Sequence, residues 1–592
     1  MEINEIDFGF TPSPYQEKIF DFILHGNGNA VISAKAGSGK TSTCIAAIKL
    51  IKPKNKVMFL AFNRSIAEEL SNKLKDYDNV EVRTSHSLGF SIIKKNIDSE
   101  VELDEFKYRT YLKAHLNELT EISGIQLTRT QLYEYIENIS SLINYARFNL
   151  AQTAEEVRQL SLKYDIPILL DECDVTIKML EWGKTVLNRV DYTDMIWLPV
   201  ELSMNTRCFQ KDFIFIDECQ DQSLMSIELF LKCFKRGTRF IAVGDEKQSI
   251  NQFAGSSEDA FQYMKDYPKT TLLNLPICYR CPKRVVELAR NFVSDIKYRD
   301  GAPEGDIQDN CLISMLKSGD MVLSRSKAPL LKVYVKLLRK GVPCYIKGQD
   351  IGVNLKELLN EIDVEELHTN LNKDGVFVRL YDNLFELRNK IMKTNGLDYQ
   401  DATLTSYVLN RYDMINALTI LAENYKTKAE LIKHIDEIFD EIKGGVILST
   451  IHKAKGLEAD NVYILCSSSM PSKLAKKDWE ISAEENLMYV AYTRPKKKLG
   501  FISEKEVKPF GIAQAPDIVL NELGLIENLV CSVLGKTPTE QKDSVDLARF
   551  NLQNGITEIK NEHEDDNFKK IVQDNTSVDD GILLHELDEL LS

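Results

Sequence analysis

Eight short apolar runs, each followed by a turn and a helix-like stretch, constrain this chain more than any other feature. Ala30-Val31-Ile32-Ser33, Lys56-Val57-Met58-Phe59-Leu60, Phe213-Ile214-Phe215-Ile216 and Phe240-Ile241-Ala242-Val243 form one set. Met321-Val322-Leu323, Val446-Ile447-Leu448, Val462-Tyr463-Ile464-Leu465 and Leu499-Gly500-Phe501-Ile502 form the other. A strand that is apolar throughout, and not only at alternate positions, must be covered on both faces, and helices alternating with strands supply that cover over parallel sheets. Two clusters of such runs predict two α/β domains.

The stretches between them have a different texture. Residues 91–190 are polar-rich with helical spacing at Leu132, Ile136, Ile139 and Ile143, and residues 353–443 repeat this at Leu384, Leu387 and Ile391, then at Ile432, Ile435, Ile438 and Ile442. Each reads as a mainly helical insertion in one α/β domain. The expected organisation is therefore a first α/β domain from 1–90 and 191–275 around an insertion at 91–190. A second is expected from 276–352 and 444–510 around an insertion at 353–443, followed by a C-terminal extension at 511–592. For 592 residues, roughly 150 per domain gives about four compact units.

Composition narrows the class. With 43% hydrophobic and 28% charged residues the chain is ordinary globular protein, which excludes a wholly disordered, collagenous or low-complexity molecule. No apolar run approaches the ~18 residues needed to span a bilayer, and Met1 to Phe8 carries acids without a basic region, so an untargeted, soluble intracellular protein is expected, cytoplasmic or nucleoid-associated. Eleven cysteines, an odd number, fit a reducing compartment better than a disulfide framework. The net charge of −15 argues against a uniformly basic nucleic-acid coat but leaves room for a local basic groove. The charge is also uneven: Thr557 to Ser592 holds 11 acids and 3 bases, so more than half of the excess lies in that tail.

Ser33-Ala34-Lys35-Ala36-Gly37-Ser38-Gly39-Lys40-Thr41 follows an apolar run and precedes a helix-like one. Small residues let backbone N–H groups approach phosphates, Lys40 can neutralise β/γ charge, and the Thr41 hydroxyl can ligate Mg²⁺. Ala34 stands where the strict phosphate-loop pattern begins with Gly. A second element, Phe213-Ile214-Phe215-Ile216-Asp217-Glu218, ends a strand with two carboxylates. Asp217 can hold Mg²⁺ through water, and Glu218 can accept a proton from an attacking water.

The remaining motifs, in order, resemble those of superfamily 1 helicases of the UvrD/Rep/PcrA group over residues 8–505. The N-terminal half is also similar to the F-box DNA helicases, notably Phe62-Asn63-Arg64-Ser65-Ile66-Ala67-Glu68-Glu69 and Thr84-Ser85-His86-Ser87-Leu88. Tyr15-Gln16 resembles the adenine-reading glutamine motif, and Asp191-Tyr192-Thr193-Asp194-Met195 resembles the D-F-x-D-L/M element. Val243-Gly244-Asp245-Glu246-Lys247-Gln248 resembles the third motif, Tyr279-Arg280 the fourth, Ser449 to Glu458 the fifth, and Glu485 to Arg494 the sixth.

What the resemblance implies is specific. The fold would be two RecA-like P-loop NTPase domains that sandwich ATP, with Lys40 and Glu218 from the first and Arg280 and Arg494 from the second. Catalysis would rest on Lys40, Asp217, Glu218, Gln248, Arg280 and Arg494. Nucleotide would be bound by Gln16, Ala36, Gly37, Ser38, Gly39, Lys40, Thr41, Tyr279, Arg280, Glu458 and Arg494, with Mg²⁺ at Thr41 and Asp217. DNA would meet Phe62, Asn63, His86, Phe253, Thr450 and His452, with Phe62 and Phe253 stacking on bases. The sequence also departs from the family. Asn251-Gln252-Phe253-Ala254-Gly255 lacks one aromatic and the arginine of the third motif, and Ser42 stands where relatives often carry an adenine-stacking arginine.

The expected activity is that of an ATP- and Mg²⁺-dependent helicase moving 3′→5′ on single-stranded DNA and unwinding partial duplexes, in repair, replication or recombination. A translocase that strips proteins from DNA and unwinds poorly is the alternative within enzymes. A nucleotide-switched scaffold is the alternative outside them, and the intact Glu218, Gln248, Arg280 and Arg494 speak against it. Cys278-Tyr279-Arg280-Cys281 is a lone CxxC without a second pair at metal spacing. Arg147, set among aromatics, reads as part of an amphipathic helix face or as a nucleic-acid contact. The apolar spacing of Ile582 to Leu591 reads as a short helix, either docking a protein partner or packing on its own core.

Overall fold

A computed structural model describes residues 7–116, 129–164, 166, 168, 170–250, 258–362, 367, 376–395, 397–422, 426–439, 444–473, 475, 477–507 and 516–538. It divides into two compact units, Met1–Asp306 with Glu485–Lys497, and Ile307–Glu484 with Lys498–Ser592.

The first unit is built on a six-stranded parallel sheet ordered Val80–Thr84, Val57–Ala61, Lys211–Ile216, Phe234–Gly244, Asn29–Ala34 and Thr270–Leu275. All four apolar runs of the first set are strands of this sheet, and the reason they are apolar throughout is visible in their packing. Ala30, Ile32, Phe59, Phe213, Phe215, Ile241 and Val243 face one core, shared with Ile19, Phe20 and Ile48 of the helices Pro14–His25 and Lys40–Lys49. Val31, Met58, Leu60, Ile214, Ile216, Phe240 and Ala242 face the other. Alternate side chains thus enter different cores.

The second of these cores runs on into the helical insertion. The helix Arg129–Asn149 buries Ile136, Ile139 and Ile143 at their predicted spacing, while Leu132 is partly buried. Ala154–Lys163 and Glu172–Thr185 pack with it. The short parallel pair Glu102–Leu103 and Arg189–Val190 joins the two ends of the insertion.

The second unit carries another six-stranded sheet, in the order Asp306–Cys311, Pro495–Ile502, Ala459–Ile464, Met321–Ser324, Val446–Thr450 and Cys344–Lys347, with the last four parallel. Its four apolar runs also became strands. The insertion helices Val376–Asn395, Ser406–Ala422 and Lys428–Phe439 share one continuous core with it, which buries Leu384, Leu387, Ile391, Ile435 and Ile438. Ile442 lies outside the described residues.

Two regions differ from what the chain's texture suggests. Val519, Leu523, Ile526 and Val530 of the helix Pro516–Leu534 belong to the core of the second unit, so this part of the extension is no loose appendage. Arg388 forms a buried bidentate pair with Glu527 at 2.6 and 2.8 Å, and Tyr412 donates to Glu522 at 2.9 Å. Arg147 is neither on an amphipathic surface nor free for nucleic acid. It is 1% exposed and donates to both oxygens of Asp191 at 2.8 Å and to Asp194 at 2.7 Å. The segment Ile582 to Leu591 lies outside the described residues.

Candidate nucleotide site and nucleic-acid contacts

At the carboxyl end of the strand Asn29–Ala34 the chain turns through Gly37 at φ 66° and Gly39 at φ 76° before the helix Lys40–Lys49. Both angles favour glycine. Gly37 also has no room for a side chain, since a Cβ there would lie 2.7 Å from Arg280 Cβ and 3.0 Å from Cys278 Sγ. The loop thus leads into a helix N-terminus whose unpaired N–H groups favour an anion. The buried Ser38 Oγ has no hydrogen-bond partner, which suits a loop shaped for a phosphate oxygen.

Two neighbouring strand ends supply the acids. Glu218 adopts φ 49°, a left-handed conformation costing roughly 1–3 kcal/mol for a non-glycine residue and characteristic of functional sites. Its carboxylate accepts from Lys40 Nζ at 2.8 Å and Gln220 Nε2 at 2.6 Å, while Thr41 Oγ1 donates to Asp217 Oδ2 at 2.9 Å. Burial and then the neighbouring Glu218 push the Asp217 carboxyl up to about 6, against Lys40 and Thr41. Burial works against the Lys40 charge, but Glu218, Asp245 and Asp217 outweigh it and raise its pKa. A hydroxyl and a carboxylate oxygen side by side, with a second acid adjacent, form a hard-oxygen donor set suited to Mg²⁺.

The third, fourth and sixth motifs gather around the same loop within the first unit. Tyr279 N–H donates to Gly37 O at 2.8 Å, and Arg280 NH1 to Thr493 O at 3.2 Å. Gln248 Nε2 donates to Asp245 at 2.7 Å, and Arg494 NH2 lies 3.5 Å from Gln248 Oε1. Arg494 is 1% exposed; burial and then Arg280 lower its pKa to about 10, so it remains cationic at neutral pH. Arg280 and Arg494, expected on the second domain, therefore group with the first compact unit. Tyr279 is 40% exposed beside the loop. Gln16 is buried, with its amide donating to Thr43 Oγ1 at 2.9 Å and its oxygen accepting from Ser13 N–H at 2.9 Å in a capping box. Cys278 and Cys281 are both buried under the loop. A hydrogen bond from Cys281 lowers Cys278 to about 7 and raises Cys281 well above the usual thiol range.

The DNA-contact candidates fall into separate groups. Phe62 is 40% exposed beyond the strand Val57–Ala61, and Asn63 caps the helix Arg64–Lys73 by accepting from Ile66 N–H at 2.9 Å. His86 stands edge-on to Tyr192 at 6.2 Å; burial lowers its pKa against the pull of Asp191. Phe253 lies outside the described residues. In the second unit Thr450 ends its strand and accepts from Lys453 N–H at 3.4 Å, while Glu458 is exposed past Gly456. Burial, then Arg325, Lys327 and Lys453, push His452 down to about 3, so it is neutral and ringed by cations.

Sequence reasoning missed part of this cluster. Ser324 Oγ and Ser326 Oγ are buried without partners next to Arg325 and Lys327, and Arg325 also pairs with Glu484 at 2.7 Å. The signal available was polar residues directly after an apolar strand, Ser324-Arg325-Ser326-Lys327.

Phosphate loop, paired acids and flanking arginines on a parallel sheet, with a second such sheet in the chain, define a P-loop NTPase of the helicase type. Residues 15–269 match the UvrD/REP helicase N-terminal domain and residues 354–506 the UvrD-like helicase C-terminal domain; together these span more than half of the chain, which belongs to the UvrD/Rep family of ATP-dependent DNA helicases. It is 21% identical to the ATP-dependent DNA helicase Rep of Buchnera aphidicola subsp. Acyrthosiphon pisum, covering 80% of this chain and 92% of Rep. It is 23% identical to the ATP-dependent DNA helicase PcrA of Bacillus subtilis, covering 84% of this chain and 85% of PcrA. With F-box DNA helicase protein 1 of Schizosaccharomyces pombe it shares 23% identity over 82% of this chain, which spans only 56% of that relative.

Proposed function

We propose that this chain hydrolyses ATP to move 3′→5′ along single-stranded DNA and so unwinds duplex DNA. The observation that carries the reading is the meeting of Lys40, Thr41, Asp217, Glu218, Gln248, Arg280 and Arg494 around one phosphate loop. In this reading Lys40 leaves Glu218 for the β/γ-phosphates, which frees the Glu218 carboxylate to take a proton from the attacking water. Gln248, Arg280 and Arg494 stabilise charge on the transferred group, Tyr279 stacks on the base, and Gln16 reads it. Thr41 and Asp217 would hold Mg²⁺, which when bound neutralises phosphate charge.

Strand contact is proposed at Phe62, Asn63, His86 and Phe253 in the first unit and at Thr450, His452, Arg325 and Lys327 in the second. Stepping follows if the two units hold the strand with different strength before and after hydrolysis. The organisation into two RecA-like domains with insertions at 91–190 and 353–443 belongs to the same proposal, as does an intracellular location; no helix among the described residues is long and apolar enough to cross a membrane. The acidic tail after residue 556 is proposed to bind a protein partner. Asn251 and Ala254, which replace an aromatic and an arginine, favour protein displacement with weak unwinding as the second reading.

The test is ATP hydrolysis with single-stranded DNA, duplex DNA and RNA, followed by strand displacement from 3′- and 5′-tailed duplexes. Stimulation by single strands and a requirement for a 3′ tail are expected. Unwinding from a 5′ tail alone overturns the polarity. Translocation that removes a bound protein without opening duplex favours the second reading.

A further inference from the structure

The helix Ala328–Arg339 starts just past the strand Met321–Ser324, and the side chain of its cap residue, Lys327, makes no capping hydrogen bond. The Lys327 N–H donates instead to Asp413 Oδ2 at 3.1 Å, 86 residues further on in the helix Ser406–Ala422. Asp413 is 2% exposed and has no role in the scheme above. We propose that Asp413 is a positioning residue for single-strand binding, its carboxylate fixing the backbone of the Arg325–Lys327 turn from the insertion. The inference rests on the strand-contact reading of Arg325 and Lys327 given above.

The physical case starts from register. The strand Met321–Ser324 pairs with Val446–Thr450 so that Ser324 stands opposite Thr450, and Ile451 N–H donates to Ser324 O at 3.0 Å. The two strand ends therefore deliver Arg325, Ser326 and Lys327 beside Thr450 and the residues that follow it. Sheet pairing stops there, so other groups must fix the turn. Arg325 is held through its side chain, with Nε and NH2 each 2.7 Å from Glu484 Oε1. Lys327 is held through its N–H, a contact that does not occupy its ammonium. Ser326 gives no cap in place of Asp413, since its buried hydroxyl makes no hydrogen bond to the protein. A carboxylate at this point also meets the positive end of the helix dipole, one of the partners a buried charge requires. Asp413 can serve as a fixed point because its own helix is pinned on either side of it. Tyr412 Oη donates to Glu522 at 2.9 Å, and Asn416 Oδ1 accepts from Tyr381 Oη at 2.6 Å. A shift of the helix Ser406–Ala422 is then felt at the Arg325–Lys327 turn.

The experiment uses the full chain with Asp413→Ala, Asp413→Asn, Arg325→Ala, Lys327→Ala and the Asp413→Ala/Lys327→Ala pair. Affinity for a labelled oligothymidylate is measured against salt, with ATP turnover as a function of its concentration and thermal melting. Asp413→Ala is expected to weaken binding about five- to tenfold and to raise the half-saturating oligonucleotide concentration by a similar factor. The log–log salt slope should shrink by about 0.7, one phosphate contact, while turnover at saturating oligonucleotide stays within about twofold. Asp413→Asn keeps an acceptor for the Lys327 N–H and is expected to bind within about twofold of the parent. The double variant is expected to be little worse than Lys327→Ala alone, because both changes disable one contact. Parental affinity and parental slope in Asp413→Ala overturn the inference. So does an Asp413→Asn protein that binds as weakly as Asp413→Ala, since charge and not the backbone contact then matters. Loss of melting temperature together with saturated turnover in Asp413→Ala overturns it as well, the carboxylate then being a support of the core. Parental binding in both Arg325→Ala and Lys327→Ala refutes the strand-contact reading itself, an outcome distinct from the others.

Discussion

Asp194→Asn tests whether the Asp191–Asp194 element anchors the helical insertion. Asp194 is fully buried and accepts from Lys107 Nζ at 2.6 Å, Arg147 NH1 at 2.7 Å and Tyr108 Oη at 2.7 Å. Three elements therefore meet on one carboxylate: the helices Lys107–Ala114, Arg129–Asn149 and Tyr192–Glu201. Removing its charge leaves Lys107, whose side chain is 1% exposed, with only the carbonyls of Gly183 and Val186. Arg147 keeps Asp191. Breaking a buried ion pair from one side costs about 3–5 kcal/mol, and Asn retains one acceptor, so the lower end is expected. Asp191 is more exposed, and Asp191→Asn should cost less, since Asn keeps the helix cap and Arg147 keeps Asp194.

The chain has more than one cooperative unit, so the readout must be local. Hydrogen exchange should accelerate in 129–149 and 192–201, while exchange in the helix Lys40–Lys49 stays at the parental rate. Basal ATP turnover should remain within about threefold, since none of these residues contacts the phosphate loop, but single-strand affinity should fall because Tyr192 stands on this element with its ring against His86. Lys107→Met added to Asp194→Asn should recover part of the loss, because it removes the stranded charge. A local cost under about 1 kcal/mol, or strictly additive effects of the two changes, would refute the anchoring argument.

Lys40→Ala should abolish turnover, and Glu218→Gln should keep nucleotide binding while losing hydrolysis; near-parental kcat in the Gln variant removes Glu218 as the base. His452, held near 3 in the fold and near 6.5 when unfolded, binds fewer protons folded than unfolded, so stability it affects is lost as pH falls below the unfolded value. His452→Asn should therefore melt with a shallower pH dependence than the parent between about pH 6.5 and 5, and equal slopes would contradict this. Single-strand binding should weaken steeply with salt despite the acidic total charge, and a flat log–log plot would exclude a phosphate-binding groove. Phe253→Ala should leave basal hydrolysis within a few-fold and reduce strand displacement far more; a proportional fall in both would make Phe253 a support of the nucleotide site.

The central strands were legible because each carries a run of consecutive apolar residues, a pattern that two-sided burial demands. The edge strands were not. Val80–Thr84 is only partly buried along its length, and Thr270–Leu275 and Asp306–Cys311 are exposed at several positions, so no continuous apolar run marks them. The nucleotide site was legible for a different reason: phosphate chemistry fixes which residue types follow one another over a few positions. Contacts joining distant segments leave no such local trace. Arg147 beside Tyr145 and Phe148 gives no hint that its partners lie 44 and 47 residues on, and nothing around Tyr489 points to Ala36.

The helix Pro516–Leu534 also extends the second unit beyond the matched family domain. The UvrD-like C-terminal match ends at residue 506, yet this helix buries an apolar face in the second unit and places Glu522 and Glu527 against Tyr412 and Arg388 of the insertion. Both side chains of the Arg388–Glu527 pair are nearly inaccessible, at 1% and 2%, so separating them would strand a charge at a cost of about 3–5 kcal/mol. Within the described residues, Arg388 and Tyr412 tie this helix directly to the insertion helices Val376–Asn395 and Ser406–Ala422. Truncation after residue 538 should leave the second unit's stability intact, whereas truncation before 516 should expose its core and lower its melting temperature; equal melting of the two would show that the helix is dispensable.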